Sequence, residues 1–163
     1  MSRVPAVRQV ETAATRRRVP LFDLTRQDER FGSRLDQRLA RVLEHGQFIL
    51  GPEVTELETA LASYAGVRHA IGVSSGRDAL IMALMALGVG PGDAVFVPAL
   101  TFSATAGAVV AASGVPVFTD VDPETFNMSA EQLDRAIELT LARGELLPKV
   151  VIPVDLYGLP ANY

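Results

Sequence analysis

The chain of 163 residues contains no cysteine, one lysine and two histidines. Without cysteine it forms no disulfide and offers no thiolate to a metal, and two histidines leave few ligands for a zinc centre. The formal net charge is −4, and no long stripe of arginine and lysine is present. Because nucleic-acid binding requires clustered basic residues, we expect no nucleic-acid partner. Because metal ligands are few, we expect no metal site.

Charged residues are absent from residues 94–119, a stretch long enough to span a membrane. Pro98, Pro116 and several small polar residues interrupt this stretch, and its periodicity changes along it. These features favour a strand, a helix and a second strand in a buried core. We therefore expect no membrane partner.

The first 18 residues are polar and end in three consecutive arginines, and no apolar signal-peptide core follows them. We interpret residues 1–18 as a flexible extension of a cytoplasmic protein. The whole chain is 48% hydrophobic and 21% charged, which is ordinary for one globular α/β domain over residues 19–163.

Hydrophobic periodicity predicts two amphipathic helices followed by alternating strands and helices in a doubly wound α/β arrangement, with a mostly parallel sheet and helices on both faces. The predicted helices cover residues 26–45, 52–65, 78–87, 104–113 and 130–143, and the predicted strands cover residues 69–73, 94–98, 115–119 and 149–154. Ser129 and Gln132 have the spacing of a capping box. The last strand would have an uncovered edge, so we expect more chain to follow it.

A run of small residues, Ser74, Ser75 and Gly76, separates the apolar residues 70–73 from a helix that begins near Arg77. The first amides of a helix have no partner within it and lie at the positive end of its dipole, so this turn is suited to bind a phosphate. It lacks the lysine of a P-loop and the three glycines of a dinucleotide fingerprint. A different phosphorylated cofactor is therefore favoured.

Four further blocks occur in order, at residues 46–54, 93–102, 114–123 and 154–160. Together with the small-residue turn, they resemble the DegT/DnrJ/EryC1/StrS family of pyridoxal-phosphate-dependent sugar aminotransferases. The resemblance implies the N-terminal portion of a fold type I large domain. It also implies a nucleotide-linked keto sugar as substrate, glutamate or glutamine as amino donor, and a homodimer.

The resemblance assigns the front half of a pyridoxal phosphate site. Ser75, Gly76 and Arg77 match the turn whose backbone amides meet the phosphate, although the family usually has threonine where this chain has Arg77. Phe102 matches the aromatic residue that stacks on the pyridine ring. Asp155 follows a strand, at a position where many relatives have histidine, and we expect it either to face the cofactor ring or substrate amine or to cap a turn.

In the family, the catalytic lysine and the aspartate at the ring nitrogen lie beyond the segment present here. Lys149 is expected at the N-terminal end of a strand as a solvated residue, away from the carboxyl ends where ligands bind. Two alternatives stay open. Some relatives replace the lysine with histidine and are pyridoxamine-dependent sugar dehydratases, and a chain of this length without the lysine would be inactive alone and act only as a binding module.

Overall fold

The computed structural model describes residues 19–163, and the extension predicted over residues 1–18 lies outside the described residues. The chain divides into two units, Met1–Ala70 and Ile71–Tyr163. Among the described residues, we find no helix with the length and apolar character needed to cross a membrane.

The described part of the first unit contains two helices, α1 (Thr25–His45) and α2 (Pro52–Ala65), which confirms both predicted helices. Gly46 ends α1 with a φ of +67°, a left-handed conformation that glycine adopts without strain. Glu56 of α2 forms ion pairs with Arg38 and Arg41 of α1, so charged pairs join the two helices. These pairs are exposed, and exposed pairs add little stability.

The second unit alternates helices and strands. Its elements are α3 (Gly76–Ala86), β1 (Asp93–Pro98), α4 (Ala104–Ala111), β2 (Val115–Thr119), α5 (Ala130–Arg143), β3 (Leu147–Val151) and a 3-10 turn (Leu156–Gly158). The uncharged residues 94–119 therefore form most of one strand, a helix and the whole of a second strand with their connections, as predicted.

The three strands form one parallel sheet in the order β2-β1-β3. The strand predicted over residues 69–73 is wrong, because these residues belong to no strand and Ile71 is exposed. An apolar run shows only that a segment would suit burial, whereas a strand also requires a ladder of hydrogen bonds to a neighbour. The sheet therefore has three strands where the sequence predicted four.

Both faces of β1 are covered, and all six of its residues are buried. Val95 and Val97 pack with Leu84 of α3 and Val109 of α4 in one apolar cluster. Phe96 points to the other face because side chains alternate along a strand, and it is 1% exposed. Helix α5 contacts all three strands and covers that second face, so the predicted helices on both faces are confirmed.

Helix α5 begins at Ser129, whose hydroxyl oxygen accepts a hydrogen bond from the Gln132 amide at 3.4 Å. The amide of Ser129 donates to the carbonyl of Asp120. The N-cap half of the predicted capping box is therefore present. Its second half, in which Gln132 would accept from the Ser129 amide, is replaced by this backbone bond.

The pairing of β1 with β3 is irregular at Lys149. Ala94 pairs with Pro148 and Val95 pairs with Val150, so Lys149 is an extra residue in β3. Such a bulge redirects a side chain. The Lys149 Nζ donates to the carbonyl of Gly88 and to Asp93 Oδ2, the latter at 2.8 Å. Lys149 therefore lies within β3 rather than at the strand's N-terminal end. It is exposed, as expected of a solvated lysine, but it is also ion-paired.

Candidate functional site

The start of α3 presents two backbone amides toward open space. Ser75 caps the helix, with its hydroxyl oxygen accepting from the Asp78 amide at 3.1 Å and its carbonyl accepting from the Ala79 amide at 3.0 Å. The amides of Gly76 and Arg77 precede these two, and helix geometry gives them no partner within α3. Apart from its chain neighbours and the backbone of its own helix, nothing lies within 4 Å of the position that a Cβ on Gly76 would occupy, so there is open space beside this turn.

The hydroxyl groups of this turn are bound to a residue that the sequence reasoning did not single out. Asp78 Oδ2 accepts hydrogen bonds from the hydroxyls of Ser74 and Ser75. These bonds, that from Ser74 first, hold the pKa of the Asp78 carboxyl below its usual value. The Ser-x-x-Asp spacing is the sequence signal that predicts this arrangement. Backbone amides, rather than hydroxyls, are thus the donors that the turn leaves available.

The Arg77 side chain crosses from α3 toward α4. Its Nε lies 4.0 Å from the position that a Cβ on Gly107 would occupy, and the side chain is exposed. Its positive charge also contributes to the lowered pKa of Asp78. The turn therefore combines two amides with a guanidinium group, both of which favour a negatively charged ligand.

Phe102 lies in the connection between β1 and α4. Its carbonyl accepts a hydrogen bond from the Thr105 amide at 3.1 Å, which fixes the corner, while its side chain is 78% exposed. In the same connection, the hydroxyls of Thr101 and Thr105 form a hydrogen bond of 2.9 Å. A large aromatic ring held in an exposed position at the carboxyl end of a parallel strand is available for stacking.

Asp155 follows β3 at the same end of the sheet. Its Oδ1 accepts hydrogen bonds from the Ala161 amide and the Tyr163 hydroxyl, both at 2.9 Å. The bond from Tyr163 raises the pKa of that tyrosine. The Asp155 carboxylate therefore binds residues that follow it in the chain, as the turn-capping alternative requires. Asp155 also lines the cleft described next.

One cleft of about 600 Å³ contains all five residues that the sequence singled out. Its lining is mostly apolar and consists of Ser75, Gly76, Arg77, Leu80, Thr101, Phe102, Ala104, Thr105, Val154, Asp155, Leu156 and Tyr157. Tyr157 belongs to the sequence block of residues 154–160, but the sequence reasoning gave it no role in the site. The structure thus brings together the turn at the start of α3, an aromatic ring and a carboxylate from three separate segments.

Lys149 lies away from the cleft, toward the other end of the strands. Its partner Asp93 is the first residue of β1, whereas the cleft is built after the last residues of β1 and β3. The ammonium group and the Gly90 amide hold the pKa of Asp93 below its usual value. Lys149 therefore joins strand and turn at the amino-terminal edge of the sheet.

The cleft fits a planar aromatic group that carries a phosphate. The free amides and Arg77 suit the phosphate, the ring of Phe102 suits an aromatic face, and the apolar lining suits a group largely removed from water. Within residues 19–163, no group of three histidine, aspartate or glutamate side chains is placed to hold a metal ion. Fold and site together define an α/β protein whose cleft is suited to a phosphorylated aromatic cofactor.

Comparison with known proteins agrees with this class. Residues 30–163 match the DegT/DnrJ/EryC1/StrS aminotransferase family, and the chain belongs to that family. The UDP-2-acetamido-2-deoxy-3-oxo-D-glucuronate aminotransferase of Pseudomonas aeruginosa is 43% identical over 145 residues, which are 89% of this chain and 38% of that protein.

Solved structures agree as well. A DegT DnrJ EryC1 StrS aminotransferase from Brucella abortus superposes with a TM-score of 0.85 at 49% identity, over 90% of this chain and 39% of that one. The NtdA protein of Bacillus subtilis, solved with bound cofactor PMP, has a TM-score of 0.73 at 34% identity, over 88% of this chain and 32% of its own. The chain therefore spans less than two fifths of the length of these relatives.

Proposed function

We propose that this chain is part of an aminotransferase that uses pyridoxal phosphate to convert a nucleotide-linked keto sugar into an amino sugar, with glutamate or glutamine as donor. The observation that carries the proposal is the cleft, in which the start of α3, Phe102 and Asp155 meet. The names of relatives support the substrate class, because the Pseudomonas protein acts on a UDP-linked 3-oxo sugar. The net reaction moves the donor's amino group to the keto carbon and leaves 2-oxoglutarate when glutamate is the donor.

In this proposal, different residues of the cleft bind different parts of the cofactor. The amides of Gly76 and Arg77 bind the phosphate, with the Arg77 guanidinium adding a charge-assisted contact, and Ser75 fixes the geometry of the turn. Phe102 offers an aromatic face to the pyridine ring. Asp155 faces the ring or the substrate amine. Pyridoxal phosphate supplies an electron sink when bound, which stabilises the negative charge that develops on the substrate carbon.

The lining also contains apolar residues. Leu80, Val154 and Leu156 are partly buried and line the cleft beside its polar groups. They offer apolar contact to the ring of the cofactor.

We further propose that Lys149 is not the lysine that holds the cofactor covalently. Its Nζ donates to Asp93 Oδ2 at 2.8 Å, at the edge of the sheet opposite the cleft. A covalent link requires an amine beside the cofactor. Other chain segments, and a second subunit of a cytoplasmic homodimer, would complete the site in this proposal.

The function can be tested on the full-length natural protein that carries this chain. Purified protein is incubated with pyridoxal phosphate, glutamate and UDP-linked 3-oxo sugars, and 2-oxoglutarate and the amino sugar are quantified. We expect both products in equal amounts and only when cofactor is added to apoprotein. Elimination of water from the sugar without amino transfer would support the dehydratase alternative, and the absence of any reaction across keto-sugar substrates would contradict the proposal.

A further inference from the structure

The side chain of Asn127 lies between two parts of the second unit that are distant in sequence. Asn127 is 5% exposed, and it follows β2 in the connection to α5. Its Nδ2 donates to the carbonyls of Leu159 and Pro160, at 3.0 and 3.1 Å. Its Oδ1 accepts from the amide of Leu156 at 3.3 Å. Both ends of the amide therefore bind the backbone of residues 156–160, which we name the post-β3 loop.

The post-β3 loop forms one wall of the cleft. Leu156 and Tyr157 line the cleft, and Asp155 immediately precedes the loop. The carboxylate of Asp155 binds Ala161 and Tyr163, which are its near neighbours in sequence. Those contacts shape the loop locally, whereas the bonds from Asn127 fix the loop to the segment after β2.

The backbone of Tyr157 indicates that this loop needs to be held. Its φ and ψ are +53° and +24°, in the left-handed region that residues with a Cβ rarely adopt. Such a conformation persists where the surrounding contacts determine it. The Asn127 side chain bonds three residues of the loop, and two of them, Leu156 and Leu159, lie on opposite sides of Tyr157 in sequence. The side chain therefore holds the loop on both sides of Tyr157.

Asn127 is itself held in place by a turn that Asp122 organises. The Asp122 amide donates to the Asn127 carbonyl at 2.9 Å, and the Asp122 carbonyl accepts from the Phe126 amide at 2.8 Å. Asp122 Oδ1 accepts from the amides of Thr125 and Glu124, and these bonds hold the pKa of Asp122 below its usual value. The turn is thus a rigid base from which the Asn127 side chain reaches the loop.

We infer that Asn127 is a positioning residue for the cleft: by bonding the post-β3 loop, it sets the places of Asp155 and Tyr157 against the bound cofactor. The role requires an amide, because both a donor and an acceptor are used. Aspartate keeps the acceptor for Leu156 but loses both donors, and it leaves the carbonyls of Leu159 and Pro160 without their partner. The part of the inference that concerns the cofactor rests on the proposed function.

The test uses Asn127→Asp in the full-length natural protein, with Asn127→Ser as a second variant of smaller volume should the first fail to fold. Two quantities are measured. Hydrogen exchange of the amides over residues 155–160 reports the loop, and titration of apoprotein with pyridoxal phosphate, followed by absorbance, gives the dissociation constant. We expect faster exchange confined to the loop and a dissociation constant raised about tenfold, as the loss of one to two buried hydrogen bonds implies.

Thr140→Val is the matched control. The Thr140 hydroxyl is buried and donates to the Ala136 carbonyl within α5 at 2.8 Å, and it does not line the cleft. This variant loses a buried hydrogen bond elsewhere in the same unit, so the melting temperature should fall while the loop's exchange and the dissociation constant stay unchanged. A purely structural role for Asn127 would leave the dissociation constant unchanged, as in the control.

The outcomes separate this inference from the proposed function. Unchanged exchange over residues 155–160 in the Asn127 variants overturns the inference, and so does faster exchange with an unchanged dissociation constant. If wild-type protein does not bind pyridoxal phosphate, the proposed function fails and the positioning role toward the cofactor fails with it. The exchange data then still show whether Asn127 fixes the loop.

Discussion

The Nζ of Lys149 lies 2.8 Å from Oδ2 of Asp93, and the bulge at Lys149 in β3 makes this contact. The same carboxylate oxygen accepts from the Gly90 amide at 2.8 Å. One carboxylate therefore joins the first residue of β1, the turn after α3 and the middle of β3. The lysine is a structural residue of the sheet edge, and its contact makes the stability of the fold depend on pH.

The first prediction concerns that dependence. The pKa of Asp93 is below its ordinary value of 3.8 in the folded protein. A carboxyl with a depressed folded pKa stabilises the fold above its unfolded pKa, and this contribution is lost as pH falls through the folded pKa. The difference in unfolding free energy between wild type and Asp93→Asn should be constant above about pH 5 and shrink below about pH 3.8. Urea denaturation at a series of pH values measures it.

Lys149→Met gives the control for this prediction. The variant removes the ammonium group, which is the largest cause of the lowered pKa, and keeps the bond from Gly90. Most of the pH-dependent difference should therefore disappear in a Lys149→Met background. A difference that is equally large in both backgrounds would show that the lysine does not set the pKa of Asp93.

Elements with strong periodicity could be predicted from the sequence, and elements set by distant partners could not. The periodic apolar faces and the stop residues Gly46 and Gly144 gave the bounds of α1 and α5 to within a residue. The apolar residues 69–73 have the composition of a strand but are not part of a ladder. The bulge at Lys149 depends on the geometry of Asp93, which lies 56 residues earlier.

The residues of the candidate site also divide into those that local sequence patterns predict and those that depend on distant partners. Ser75, Gly76, Phe102 and Asp155 follow local rules, since each lies at a helix start or after the carboxyl end of a strand. Asn127 was not singled out, because it is important only through a loop that begins 29 residues later. No local pattern distinguishes it from an ordinary turn asparagine, and the left-handed Tyr157 likewise has no signal in the sequence.

The second prediction tests the apolar cluster between the sheet and helices α3 and α4. Leu84 is 2% exposed and packs in this cluster, whereas Met85, the next residue of α3, is largely exposed. Leu84→Ala should lower the free energy of unfolding by about 2 to 5 kcal/mol, because it removes buried methyl groups and leaves a cavity. Met85→Ala should change it by less than about 1 kcal/mol. Chemical denaturation of both variants compares them, and equal losses would contradict the assigned core.

The third prediction tests Phe102 as the aromatic partner of the cofactor. Phe102→Ala should raise the dissociation constant of pyridoxal phosphate about fivefold, since an aromatic contact contributes about 1 kcal/mol beyond the buried area. Phe118→Ala is the matched control, because Phe118 is also exposed but lies on β2 and does not line the cleft. Absorbance titration of the full-length natural protein measures both. If the two variants retain the cofactor equally well, Phe102 is not the partner.

The last prediction separates the backbone amide of residue 77 from its side chain. Arg77→Pro removes the amide, and a charge-assisted hydrogen bond contributes about 1.5 to 3 kcal/mol, so the dissociation constant should rise about tenfold to a hundredfold. Proline is tolerated in the first turn of a helix, where no intrahelical bond is lost, and circular dichroism checks that the fold is kept.

Arg77→Ala and Arg77→Thr keep the amide and lose only the guanidinium. The amide of residue 77 is present in both variants and has no partner within α3, so it can still donate to an anion. Both variants should therefore bind more tightly than Arg77→Pro, with threonine tolerated as the residue usual in the family. If Arg77→Ala releases the cofactor as readily as Arg77→Pro, the guanidinium is the phosphate ligand, and the start of α3 contributes only the position of that side chain.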